Sequence, residues 1–284
     1  MDQPLPHTAR SLAADLHALG VTAGDVVLLH SSMRSIGFVA GGPHAVVQAL
    51  LDVLGPEGTL VVPTHTPANT DPAGWRHPPV LEAWWPVIRE QAPGFDPLRT
   101  PSQWMGVIAE TVRRWPGARR SDHPHVSFAA LGRHAADIVD GHRLDDALGE
   151  RSPLGAVYRL DGKVLLLGCE HGSNTSLHLA EWRQASPPRA ITGASVRQPD
   201  GASQWITWID VVPDTDDFER LGTDFEATGA AMSGKVGCAT ARLMSQRALV
   251  DFATDWMAAH RPSAKQRPDL SASTGAPCST PSSS

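Results

Sequence analysis

The sequence has little cysteine, no excess of positive charge and no long apolar run, and each shortage excludes a class of protein. Three cysteines (Cys169, Cys238, Cys278) in 284 residues cannot build a disulfide framework, and none stands in a Cys-x-x-Cys pair. That usage fits a reducing compartment. A formal charge of −6 with a pI near 6.1 lacks the basic footprint of a nucleic-acid binder, so no nucleic acid is expected. No window approaches the roughly 18 apolar residues of a membrane span. Residues 1–20 also lack the basic start and continuous apolar core of a signal peptide. The expected location is cytoplasmic, with no membrane partner. Thirteen histidines raise the question of a metal. Neither a His-Glu-x-x-His helix nor Cys/His pairs at zinc spacing occur, so none is expected. The nucleophile elbow Gly-x-Ser-x-Gly is missing too, since Gly168 to Gly172 reads GCEHG. Cys169 sits beside Glu170 rather than in the electropositive surroundings that activate a thiolate. A Gly-x-Gly-x-x-Gly dinucleotide signature is absent as well.

What is present has the composition of a soluble globular chain, 41% apolar and 19% charged. The mild negative balance is compatible with a cationic ligand. Apolar residues at helical spacing from Thr8 to Leu19 end at Gly20, a natural C-cap. Asp25 to His30 (DVVLLH) and Gly58 to Pro63 (GTLVVP) read as buried parallel strands. Between them a helix from Pro43 to Leu54 starts with a well-placed proline. An amphipathic helix covers Gly106 to Arg114, a strand Val126 to Leu131, and a helix begins near Ser152-Pro153. Trp205 to Val212 alternates like a strand of the sheet's antiparallel part. Asp214 to Ala230 is an acidic helical stretch, Gly234 to Leu243 a loop and strand, and Ser245 to His260 a closing helix. From Arg261 the chain turns to Pro, Ser, Ala and Thr. Such a segment cannot bury enough apolar surface to offset ordering entropy, which predicts a disordered tail over 261–284.

The chemistry gathers between Val164 and Arg183, VLLLGCEHGSNTSLHLAEWR. An apolar strand stops at Gly168, a polar turn follows, and a helix begins after Asn174, the preferred N-cap with Ser173 as the next choice. Open α/β sheets place ligands at such strand ends. His178 and Glu181 are three apart and so share one helix face. A carboxylate against an imidazole fixes its tautomer, the usual arrangement of a general base. A surface helix pair without a catalytic role has the same spacing. His171, in the preceding loop, is a lesser candidate for a second base or a substrate contact. After the first strand, HSSMRSIG leaves backbone N–H groups that suit either an anion site or an ordinary tight βα loop.

TSLHLAE (Thr175 to Glu181) after a strand ending LLLG resembles the signature of the aminoglycoside 3-N-acetyltransferase family. Further blocks match in order: LLHSSMRSIGFVAGGP (28–43), GPEGTLVVPT (55–64), FDPLRTPSQWMGVIAE (95–110), RRSDHPHVSFAALG (119–132), LGERSPLGAVYRLDGKVLLLG (148–168) and GKVGCATARLM (234–244). The resemblance spans about Thr8 to His260. It implies an α/β protein with a mixed central β-sheet flanked by helices, of the antibiotic N-acetyltransferase type. The GNAT fold is excluded, because its Gln/Arg-x-x-Gly-x-Gly/Ala pyrophosphate loop does not occur. A single acetyltransferase domain is expected over 1–260.

The resemblance further implies acetyl-coenzyme A as cosubstrate. Ser31, Ser32, Met33 and Arg34 would meet its phosphates and pantetheine, His30 would wall the site, and Arg120, Ser121 and Lys235 would be further coenzyme contacts. The long loop from Thr64 to Pro79 is implied to shape the acceptor side. His65, Asn69, Asp71 and Asp96 are its candidates, carboxylates being suited to ammonium groups, although Asp in such turns also serves as a cap. His178 would be the base, Glu181 its orienting partner, and Thr175 or backbone N–H groups the oxyanion donors. The implied reaction is acetylation of the 3-amino group of a 2-deoxystreptamine aminoglycoside. A different primary amine is the alternative acceptor, and a catalytically silent coenzyme A-binding relative is the reading from another class. The chain would be a monomer or a homodimer.

Overall fold

The structure, a computed structural model, describes residues 5–76 and 78–261. Nine strands occur among them. They are β1 (Val26–Ser31), β2 (Thr59–Pro63), β3 (Arg119–Arg120), β4 (Phe128–Gly132), β5 (Lys163–Leu167), β6 (Arg189–Arg197), β7 (Ser203–Val211), β8 (Ala231–Val236) and β9 (Ala239–Ser245). Seven form one mixed sheet in the order β3-β4-β2-β1-β5-β9-β8. β1 lies parallel to β2 and β5 at its centre, and β3, β4, β8 and β9 add antiparallel margins.

Both faces of the central strands are covered. Val27, Leu29, Leu60, Val62, Leu165 and Leu167 point into one apolar layer, and Val26, Leu28, Val61, Val164 and Leu166 into the other. Successive side chains alternate between faces, so a strand buried on both sides reads as an unbroken apolar run. That is how VVLL and VLLL appear in the sequence. Helices α1 (Ala9–Leu19), α3 (Gly42–Leu54) and α5 (Gly106–Arg113) cover the first face, and the short α2 (Met33–Ile36) lies beyond the end of β1. The opposite face packs α6 (Ala135–Val139), α7 (Pro153–Arg159), α8 (Leu177–Trp182), α9 (Phe218–Glu226) and α10 (Gln246–His260). The remaining helix, α4 (Trp85–Gln91), lies in the long connection between β2 and β3.

Local signals hold these elements in place. Thr8 and Ser11 form a reciprocal capping box on α1, and Gly20 ends that helix at φ 107°. Ser152 caps α7 ahead of Pro153, and Ser245 caps α10.

Three expectations are corrected. Trp205 to Val212 does not join the main sheet's antiparallel part. It forms β7, paired only with β6 in a separate two-stranded hairpin. Its alternation reports one half-covered face, and alternation alone does not say which sheet supplies the partner. Gly234 to Val236 end edge strand β8, and Gly237 begins the turn into β9, rather than the stretch forming a loop. Arg261 belongs with the folded body, since its side chain is hydrogen-bonded to Glu181 and Asp217. The rest of the expected tail lies outside the described residues.

Candidate active site

β1, β2 and β5 run parallel, so their C-terminal ends lie along one edge of the sheet. His30 and Ser31 end β1, Thr64 and His65 follow β2, and Gly168 follows β5. This edge is where open α/β sheets bind ligands. Gly168 (φ 73°) allows the β5 loop to meet α2, because a Cβ there would lie 2.5 Å from Ser35 Cβ. Ser35 Oγ donates to the Gly168 carbonyl at 2.9 Å and is hydrogen-bonded to the Ser32 hydroxyl at 2.9 Å.

The loop after β5 reaches α8 through one turn at His171–Ser173. Asn174 Oδ1 accepts the Ser176 N–H at 3.2 Å, so the expected cap acts just ahead of a tight first turn. At the second residue of the helix, His178 Nδ1 lies 2.6 Å from Glu181 Oε2. Both are buried, with 8% and 3% exposure. An ionised carboxylate only accepts hydrogen bonds, so Nδ1 carries the proton and Nε2 is left as the basic nitrogen. The Glu181 carboxylate is held on its other side as well. Its Oε1 accepts from Arg261 Nη1 at 2.6 Å and from the Asp214 backbone N–H at 3.0 Å. Phe218 packs against the imidazole with ring centroids 4.9 Å apart.

Two further histidines share this edge. His30 Nε2 lies 3.2 Å from Thr175 Oγ1, tying the end of β1 to the approach of α8. Burial, then the neighbouring His178 and His171, push His30 down to about 3. Burial, then His178 and His30, push His65 to about 3 as well. These rings are therefore neutral at pH 7, and each turns a hydrogen-bonding edge rather than a charge on the site. His65 Nε2 is buried without a hydrogen-bond partner among the described residues.

The other nominated residues separate into two groups. Ser31, Ser32 and Met33 lie at the end of β1 and the start of α2, with Arg34 exposed beside them and outside any ion pair of the described residues. Lys235, also exposed, donates to the Cys238 carbonyl and Thr240 Oγ1. These positions are open to a ligand. Arg120 and Ser121 are not. Arg120 donates to Thr64 Oγ1, Ser127 Oγ and the carbonyls of Thr64, Pro97 and Thr100, which leaves no guanidinium nitrogen free. Ser121 is 2% exposed and pairs with the Phe128 N–H and His142. Arg120 ends β3 and Ser121 follows it, so these bonds brace the loops that carry Thr64, Pro97 and Thr100.

On the expected acceptor side Asp71, Asp96 and Asn69 already have partners. Asp71 caps the Pro72–Gly74 turn and pairs with Arg89 at 2.8 and 3.0 Å. Asp96 caps the Leu98 and Arg99 N–H groups and meets Arg197 at 3.0 Å. Asn69 donates to the Pro124 and Ser195 carbonyls. His171 is 2% exposed and bound to Glu226 at 2.9 Å, so its ring faces α9 rather than a ligand. Arg261, Asp217 and Phe218 were not nominated from sequence. The acidic run near Asp214 was the only local hint of them.

A cavity of about 270 Å³ lies between the β6–β7 hairpin and residues His123, His125 and Leu148, with Trp182 of α8 in its wall. Another, of about 450 Å³, lies between the Thr66–Asn69 and Pro93–Gln103 loops. His178 lines neither of them.

Residues 28–258 match the family model described as aminoglycoside 3-N-acetyltransferase. The chain is 42% identical to the SPbeta prophage-derived aminoglycoside N(3′)-acetyltransferase-like protein YokD of Bacillus subtilis, covering 88% of this chain and 92% of that protein. The crystal structure of YokD superimposes with a TM-score of 0.87 over 90% of this chain and 94% of that one. Identity to aminoglycoside N(3)-acetyltransferase VII of Streptomyces paromomycinus is 37%, over 89% and 92% of the two chains. A structure described as AAC-IIIb binary with CoASH is 32% identical, with a TM-score of 0.80 over 91% and 100% of the chains.

Proposed function

The chain belongs to the aminoglycoside 3-N-acetyltransferase family, and from that premise we propose that it transfers acetyl from acetyl-coenzyme A to the 3-amino group of a 2-deoxystreptamine aminoglycoside, with His178 as general base. The observation that carries this reading is the buried His178 Nδ1–H···Oε2 Glu181 bond of 2.6 Å, which leaves Nε2 free to accept a proton. The coenzyme supplies its acetyl group as a thioester, whose C–S bond breaks as the amide C–N bond forms. His178 Nε2 takes the proton that the attacking nitrogen loses, Glu181 stabilises the resulting imidazolium, and that proton passes to the departing coenzyme A thiolate, which leaves as the thiol. The Thr175 hydroxyl, 3.2 Å from His30 Nε2, is the candidate donor to the oxyanion. Ser31 to Arg34 suit the coenzyme: a strand-end turn with an exposed cation fits a phosphate-bearing ligand.

The second reading keeps the chemistry and changes the acceptor to another primary amine. It is favoured by Asp71 and Asp96, whose carboxylates are taken up by Arg89 and Arg197 instead of being free for a polycation. Thiol release from acetyl-coenzyme A across gentamicin, neomycin, apramycin and simple diamines tests both. Turnover with the drugs supports the first, and turnover only with other amines the second. In either case His178→Ala is expected to lower turnover by about 10²–10⁴-fold while coenzyme binding persists. Unchanged turnover in the folded variant refutes the base assignment.

A further inference from the structure

The carboxylate that orients His178 is itself gripped from far along the chain. Arg261 follows the last residue of α10, 80 positions after Glu181. Its Nη1 donates to Glu181 Oε1 at 2.6 Å. Its Nε and Nη2 donate to the two carboxylate oxygens of Asp217 at 2.8 and 2.5 Å, and Nη2 also reaches the Asp214 carbonyl at 2.9 Å. The planar guanidinium thus spans two carboxylates in one fixed geometry, which a lysine ammonium cannot reproduce. Burial opposes its charge, but hydrogen bonds to Asp217 and Glu181 outweigh burial and keep it protonated.

The effect on the carboxylate is directional. Oε1 already accepts from two N–H groups, those of Arg261 and Asp214. Only Oε2 remains for the imidazole. Turning the carboxylate about its last torsion would break both Oε1 bonds. That torsion is otherwise soft and broad. Phe218 seals the arrangement, lying 4.9 Å from the His178 ring and 5.9 Å from the guanidinium carbon.

We infer that Arg261 is a positioning residue for the reaction assigned to His178: it locks Glu181 in the orientation that keeps the imidazole proton on Nδ1 and Nε2 bare. The inference rests on the general-base reading for its consequence in turnover, but its structural content can be tested without an acceptor. An arginine that merely ties the end of α10 to the turn before α9 would affect stability and leave the imidazole tautomer unchanged.

The experiment compares the full-length protein with Arg261→Gln and Arg261→Lys. Histidine ¹⁵N spectra at neutral pH, with the His178 signals identified by their loss in His178→Ala, read the tautomer directly. The unaltered protein is expected to show His178 as the Nδ1–H form, Arg261→Gln a mixture of tautomers, and Arg261→Lys a partial return. With an accepted amine, kcat should fall by about 100-fold in Arg261→Gln, while KM for acetyl-coenzyme A changes less than about twofold. Should Arg261→Gln not fold, Asp217→Asn keeps the arginine but removes its second anchor. It should then give a smaller tautomer shift in the same direction. An unshifted His178 tautomer in Arg261→Gln, or in Asp217→Asn if that is the variant that folds, overturns the inference. Normal turnover in His178→Ala instead removes the base assignment and leaves the tautomer result standing on its own.

Discussion

Replacing Gly222 by alanine sets two local effects against each other, and the structure decides between them. Gly222 lies inside α9, where alanine favours the helix by roughly 1 kcal/mol. The space beside it is filled, however. A Cβ at this position would lie 2.0 Å from His171 Cγ, 2.3 Å from its Cδ2 and 2.5 Å from its Cβ. That ring is 2% exposed and anchored by Glu226 at 2.9 Å, on the same helix as Gly222. Overpacking costs about 1–3 kcal/mol, and expelling the ring loses a hydrogen bond of about 1 kcal/mol. The clash therefore wins, with a net loss of roughly 1–3 kcal/mol. At about 2–4 °C per kcal/mol for a chain of this size, Tm should drop by about 2–12 °C. Urea and thermal unfolding of Gly222→Ala measure this. The same substitution in a His171→Ala background should change sign and stabilise by up to about 1 kcal/mol, since the obstruction is gone. A Gly222→Ala protein as stable as the parent would refute the packing argument.

Glu181→Gln is isosteric but should lower kcat by about 10²–10⁴-fold. An amide NH₂ facing the imidazole favours the tautomer with Nδ1 as acceptor, so the proton moves to Nε2. More than a tenth of the parental kcat would contradict that account. Acid should also destabilise the fold. The folded-state values of His30 and His65, about 3, lie below the unfolded value of 6.5, and those of His125 and His142 are lowered to about 4, in each case chiefly by burial. Between those values the unfolded chain binds more protons, so stability present above pH 6.5 is lost as pH falls. For His30 the loss is about 2 kcal/mol from pH 7 to pH 5. Tm measured across that range should fall steadily, and a flat profile would mean that these rings do not stay neutral in the folded protein.

By itself the sequence determined what depends on neighbours a few positions away. The buried strands β1, β2 and β5 follow from unbroken apolar runs, the ends of α1, α7 and α10 from Thr8, Gly20, Ser152 and Ser245, and the meeting of His178 with Glu181 from a spacing of three on a helix. Tertiary structure alone decided the long-range partnerships. It set Arg261 against Glu181, spent Arg120 on the Thr64 and Thr100 carbonyls, paired Asp71 with Arg89, and placed β7 in a hairpin outside the main sheet. A polar side chain's type states which bonds it can make, and a strand's alternation states which face is covered. Neither states what distant segment arrives to make the bond or cover the face. For that reason the His178–Glu181 pair was legible in the residues, while the Arg261 contact behind it emerged only from the fold.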